Sequence, residues 1–287
     1  MSNERNILPN LIIGGSPKCG TSSLFYWLKD HPEICASNIK ETGFLLDKVW
    51  SFNEVNYITH GLEGYSRLFP SYRGEKIIME ATPGYLLQEK IPFECLAQFK
   101  EMPKVVFIFR KPSQRIFSDY NFQKNSQKEI SDDMSFDDFL KSRRGEISRD
   151  TTRYAKYLKN WQKKIGAENV HVYILEELKK SPKKFLIELS KDLEIDAAFW
   201  EEYSFDVKNK TVNISNMGFH MKLLKLSNLV PSFVKKSKLK NIYYKLNSKK
   251  AAAPVDYSKQ KQLIDQEFVP EVEELEELLG RKIEVWK

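Results

Sequence analysis

The sequence predicts an α/β fold with a central, mainly parallel sheet flanked by helices. Three observations predict it. Short apolar runs alternate with segments of helical period, the runs are β-branched or aromatic and end at turn signals, and one of them feeds a glycine-bearing loop that opens a helix. The clearest strands are "LIIGG" (11–15), "KIIME" (76–80), "KVVFIFR" (104–110) and "NVHVYIL" (169–175). Between them, residues 21–30 bring Leu24, Trp27 and Leu28 to one helical face. A helix over 113–123 starts just after Pro112, a good first-turn residue. Residues 151–166 place Tyr154, Tyr157, Leu158 and Trp161 at helical spacing, and 181–193 has a Ser-Pro start and an apolar stripe. The acidic "EVEELEELLG" reads as a surface helix stopped by its glycine, within a C-terminal helix placed at 256–287.

A chain of 287 residues buries one large core or two small ones, and its 41% hydrophobic, 30% charged composition is that of a globular protein. The start, "MSNERNILPN", is polar and carries an acid, so neither a signal peptide nor an anchor is expected there. No apolar run approaches the roughly 20 residues that span a bilayer. Cys19, Cys35 and Cys95 are odd in number and lack metal-ligand spacing, which predicts reduced thiols and a cytoplasmic location. The net charge of +7 points to an anionic ligand. It is unevenly spread: no acid stands between Asp206 and Asp256, where there are eleven lysines. The densest part, 233–250, is either a solvated lysine-rich face or a docking surface for an acidic acceptor, carrier or membrane, and 207–255 as a whole reads as a lid or docking region.

Ligands of parallel sheets bind at the carboxyl ends of the strands, which directs attention to the loops at 15–23, 80–85 and 110–118. The first, "GGSPKCGTSSL", has the glycine spacing of a triphosphate-binding loop, but Thr21 stands where that motif puts lysine. The backbone amides of Gly20–Ser23 open a helix, Thr21, Ser22 and Ser23 add hydroxyls, and Lys18 adds a full charge. The Lys-Ser/Thr pair that holds magnesium is absent, so a monophosphate or mixed anhydride fits without a metal. In "FIFRKPSQRIFSDY", Arg110 ends a strand and Ser118 sits within the next helix, a second set of phosphate donors. Two such loops on adjacent strands suggest one ligand with two separated phosphates.

Together these residues resemble the sulfotransferase family, which uses 3′-phosphoadenosine 5′-phosphosulfate (PAPS) and leaves adenosine 3′,5′-bisphosphate. "PKCGTSSL" is similar to the family's 5′-phosphosulfate loop and "FRKPSQRIFSDY" to its 3′-phosphate element. "HPEI…KETGFL" and "MEATPGYL" are similar to the glycan-modifying branch, typified by heparan sulfate sulfotransferases, and "LEELLGRKIEVW" to the end of bacterial members. The resemblance implies one P-loop-NTPase-like three-layer domain over 1–287 and no metal. It implies that Lys18 meets the oxygen bridging phosphate and sulfur, that Pro17, Cys19, Gly20, Thr21, Ser22 and Ser23 line the 5′-phosphate, and that Arg110 and Ser118 hold the 3′-phosphate. Glu41 falls where the glycan-modifying branch has its catalytic base, with Lys40 beside it as an acceptor contact. His60 is a reserve base, whereas His31 and His171 read as structural.

Some positions depart from the pattern. Ala81 replaces a lysine that heparan sulfate enzymes carry near the acceptor, and Leu175 replaces an adenine-side tyrosine of the small-molecule branch. "NKTVNISNMGF" (209–219) lacks that branch's Arg-Lys-Gly triplet, and Asn213 and Ser215 there either bond the nucleotide or belong to a plain polar loop. Phe44 and Tyr85 either line the acceptor cleft or pack in the core. The acceptor so implied is a carbohydrate or small natural product, and no nucleic acid is expected. Two rival readings stand beside this one: a P-loop kinase-like enzyme, which the missing loop lysine disfavours, and a non-catalytic polyanion-binding protein. The lysine-rich stretch prompts the latter, but Tyr243 and Tyr244 offer little for base stacking.

Overall fold

Leu11–Gly15, strand β1, is buried at every position, as a strand covered on both faces and flanked on both edges must be. It lies at the centre of the sheet in a computed structural model that describes residues 6–50, 53–205 and 255–287. The other strands are β2 (Ile34–Ala36), β3 (Ile77–Ala81), β4 (Lys104–Phe109) and β5 (Val170–Ile174). All pairings are parallel and the order is β2-β3-β1-β4-β5, so the expected mainly parallel sheet is wholly parallel in the described residues. Ile13 pairs with Ala81 of β3 and Val106 of β4, which brings the ends of these three strands level. The chain lays β2 and β3 on one side of β1 and then crosses to β4 on the other. That reversal opens a crevice at the carboxyl ends next to β1.

Helices flank the sheet: α1 (Thr21–Lys29), α2 (Tyr57–His60), α3 (Ile91–Leu96), α4 (Pro112–Phe122), α5 (Phe136–Lys141), α6 (Arg143–Asp150), α7 (Tyr154–Ile165), α8 (Leu175–Lys180), α9 (Pro182–Asp192), α10 (Ser258–Glu267) and α11 (Val269–Leu279). α7 buries Tyr154, Leu158 and Trp161, as its spacing predicts, while Tyr157 points aside to bond Asp150. Trp161 meets Phe107 of β4 edge-on at 5.2 Å and donates its indole N–H to the Leu86 carbonyl at 3.1 Å. Burying such a side chain contributes about 2–3 kcal/mol. A smaller core joins Ile116 and Tyr120 of α4 to Phe136 and Phe139 of α5 and to Ile264 and Phe268.

Two features differ from expectation. β2 spans only three residues, too few for a period-2 pattern to register. The C-terminal helix divides in two at Phe268, because Pro270 lacks the N–H that would bond the Gln266 carbonyl. Gly280 then closes α11 with φ 63°, the left-handed residue its sequence forecast. Among the described residues, no helix is long and apolar enough to cross a membrane.

Candidate active site

The loops at the ends of β3, β1 and β4 meet because those strands are neighbours. Between β1 and α1, Lys18 and Gly20 both take left-handed backbone, with φ of 70° and 88°. At Gly20 a Cβ would stand 2.5 Å from a methyl of Leu175, so glycine is required by conformation and by space. Among the described residues no side chain caps α1 at Gly20 and its first turn holds no acid, while the Ser23 and Leu24 N–H groups bond the Gly20 carbonyl at 3.0 and 3.3 Å, so the positive end of the helix dipole is met by no side chain of the protein. α4 and α7 differ. Asp265 accepts from the Ser113 N–H at 3.2 Å and Glu271 accepts from the Ala155 N–H at 2.8 Å, so the protein's own carboxylates serve those helix starts.

Thr21 is buried, and Ser22 and Ser23 are half-buried at this turn. Cys19 is wholly buried, its sulfur 3.6 Å from the Tyr154 hydroxyl, and Tyr154 donates to the Arg110 carbonyl at 3.0 Å. Burial pushes the Cys19 thiol up, which makes it a packing residue that ties the first loop to the second rather than a nucleophile. Arg110 donates to the Lys18 carbonyl at 3.4 Å and Arg115 to the Pro17 carbonyl at 3.3 Å. Arg115 also bonds Ser148 and pairs with Asp119 at 3.5 Å, so it braces the loop from a buried position. Ser118 lies half-buried one turn from both Arg115 and Phe122 on α4.

The Lys18 ammonium sits 3.6 Å from the centroid of the Phe122 ring. Its pKa is lowered chiefly by desolvation; Asp119 pulls it back up, Arg115 and Arg110 push it down, and the Glu41 carboxylate is near enough to raise it slightly. Glu41 follows the end of β3 in space: its N–H donates to the Ala81 carbonyl at 2.8 Å and its φ is 66°. Its carboxylate is exposed and pairs with the nearly buried Lys40 at 2.5 Å. Lys18 and Gly20, Arg110 and Glu41 thus lie on loops at the ends of the adjacent strands β1, β4 and β3.

Other candidates fall elsewhere. The His60 ring bonds within its own helix, to the Thr59 hydroxyl at 2.7 Å. Phe44 and Tyr85 are fully buried, Phe44 stacked on Tyr65 at 3.9 Å and Tyr85 bonded to Glu80, so of their two sequence readings the core one describes them. His31 is buried, with Nε2 2.9 Å from the Asp196 carbonyl, and is structural as read. Asn213, Ser215 and nearly all of the lysine-rich 207–255 lie outside the described residues. Two cations escaped the sequence reading. Lys179 of α8 and Lys261 of α10 have pKa values lowered first by burial and next by the Arg110 charge, and Lys261 lies 4.1 Å from the Phe117 ring centroid. Only the return of α10 across α4 reveals Lys261 as a neighbour of Arg110.

The model of the sulfotransferase domain matches residues 8–217. Over 118 residues the chain is 34% identical to the membrane-associated sulfotransferase kil1 of Dictyostelium discoideum, a match covering 40% of this chain and 23% of that protein. Over 240 residues it is 27% identical to the bifunctional heparan sulfate N-deacetylase/N-sulfotransferase 1 of Caenorhabditis briggsae, covering 78% of this chain and 26% of that one. The chain spans about a quarter of the length of these curated relatives. The crystal structure of a sulfotransferase from Alicyclobacillus acidocaldarius has the same fold, with a TM-score of 0.65 at 21% identity over 97% of this chain and 98% of that one. With the matched region reaching from the strand before the Lys18 loop through the Arg110 and Glu41 loops, the chain belongs to the sulfotransferase family.

Proposed function

We propose that the chain transfers a sulfuryl group from PAPS to a hydroxyl of a carbohydrate or small natural product. The observation that carries this reading is the position of Lys18, between the open N-terminus of α1 and Arg110, with the exposed Glu41 carboxylate in its field. An uncapped helix start, three hydroxyl side chains, Lys18 and Arg110 suit a ligand with two phosphate groups and no metal. The donor supplies, when bound, an activated sulfur and a phosphate leaving group. Lys18 stabilises the charge that appears on the leaving phosphate as the S–O bond breaks. Glu41 takes the acceptor's proton as the new bond to sulfur forms, and Lys40 holds its carboxylate in place. Arg110 and Ser118 hold the 3′-phosphate, and Lys179 and Lys261 add charge beside Arg110. An amine acceptor is the second reading, favoured by the similarity to an N-sulfotransferase. The free, buried cysteines support a reducing, cytoplasmic setting. The 233–250 stretch is read as an accessory docking surface for an acidic acceptor, carrier or membrane.

The test combines a screen of desulfated glycans and small hydroxylated compounds against labelled PAPS with two variants. Lys18→Ala and Glu41→Ala each lower transfer by about 100- to 10,000-fold, while Glu41→Ala binds adenosine 3′,5′-bisphosphate normally. A preference for Mg-ATP over the bisphosphate overturns the donor reading. Full activity in Glu41→Ala overturns the base assignment and makes His60 the next residue to replace.

A further inference from the structure

The end of β3 holds a group that the chemistry above does not use. Glu80 is wholly buried, yet no cation contacts it among the described residues. Four hydroxyls converge on its carboxylate instead. Tyr65 donates at 2.6 Å to one oxygen, and Thr42, Tyr85 and Thr82 donate at 2.7, 3.2 and 3.3 Å to the other. Three of these hydroxyls are relays. Thr82 accepts the Gly43 N–H at 3.1 Å, Thr42 accepts the Phe44 N–H at 3.2 Å, and Tyr85 accepts the Leu45 N–H at 3.1 Å. One carboxylate therefore orients three consecutive amides through three polarised hydroxyls.

Those amides begin two residues after Glu41, whose φ of 66° is unusual for a residue with a side chain. Backbone of that kind is unfavourable and persists only where the surroundings over-determine it. The Glu41 N–H to Ala81 carbonyl bond pins the residue on one side and the Glu80 relays pin 43–45 on the other. We propose that Glu80 is a positioning residue, whose buried carboxylate holds the 41–45 turn so that Glu41 faces Lys18. The proposal rests on the reading of Glu41 as the base. It explains why an acid is kept in the core without a counter-ion, since the single oxygen of an amide cannot accept from all four hydroxyls at once.

The experiment uses the full chain and reads consumption of labelled PAPS, which counts transfer to any acceptor including water. Alongside it, amide hydrogen exchange is followed at 41–45. Glu80→Gln is expected to lower turnover by roughly 10- to 100-fold, with bisphosphate affinity unchanged and exchange raised at 43–45 but not in α1 or α4. In a Glu41→Ala background, Glu80→Gln is expected to cause no further loss, because its effect passes through Glu41. Thr42→Val, which removes one relay, should reproduce the effect in smaller degree, and Thr42→Ser should restore it. These keep the test open if Glu80→Gln misfolds. A further loss in the Glu41→Ala background, or unchanged exchange at 43–45, overturns the proposal. Full turnover by Glu41→Ala instead overturns the base assignment, while the exchange data still decide whether Glu80 holds the turn.

Discussion

Lys18 keeps its charge in a half-buried place between two arginines, and burial is the larger cause of its lowered pKa. On the proposed reading, this charge serves ligand binding and opposes folding. Lys18→Met, which retains the stem over Phe122, is therefore expected to raise the melting temperature of the ligand-free protein by about 1–3 °C while abolishing transfer. Below the usual lysine value of 10.5 the unfolded chain holds this proton more tightly than the folded one. Unfolding thus takes up a proton between the lowered pKa and 10.5, and wild-type stability rises with pH across that window. The gap between wild type and Lys18→Met should narrow there, as pH-dependent denaturation of both proteins will show. Gly20 gives a second test. Gly20→Ala meets the Leu175 methyl and a φ of 88°, and is expected to cost about 1–3 kcal/mol and to weaken bisphosphate binding. Leu175→Ala relieves the contact but not the backbone, so the pair should recover only part of the loss.

Among the elements, α11 serves α7 from a distance. Glu271 accepts the Ala155 N–H at 2.8 Å, and desolvation raises its carboxyl pKa. Glu271→Ala is expected to lower stability by about 1 kcal/mol, read as a shift of the denaturant midpoint, whereas Glu271→Gln retains an acceptor and loses less. Nothing in "FVPEVEEL" announces this cap, because its partner lies more than a hundred residues earlier. The same limit governed the rest. β1, β3, β4, β5, α1, α4, α7 and α9 were legible, since each carries its period within a few consecutive residues. That the Lys18 loop and the Arg110 strand end lie at the same end of the sheet was legible, because each directly follows a strand whose pattern is local. The Glu80 relay was not: Thr42, Tyr65, Thr82 and Tyr85 are ordinary residues whose convergence only the sheet and its loops create. Lys261 was hidden likewise, on a helix whose place over α4 no local pattern records.

At the scale of the molecule, the three cysteines lie inside the fold, with Cys19 and Cys95 fully covered and Cys35 at 4% exposure. Burial raises all three thiols, Cys95 to about 12. The native protein is therefore expected to resist alkylation near neutral pH, and to label fully once unfolded. Cys19 sits within the loop proposed to hold phosphate, so adenosine 3′,5′-bisphosphate should slow whatever labelling it shows while leaving Cys95 unaffected.

The central place of β1 has a temporal consequence. The strand that leads into the Lys18 loop is made before both its sheet neighbours, β3 and β4, and α10 and α11 come later still. A nascent chain thus displays the Lys18 loop long before Glu80, Arg110 or Lys261 exists to complete it. On the proposed reading, the Lys18 loop therefore binds adenosine 3′,5′-bisphosphate only once β3, β4 and α10 have docked around it, so ligand binding reports assembly of elements far apart in the chain.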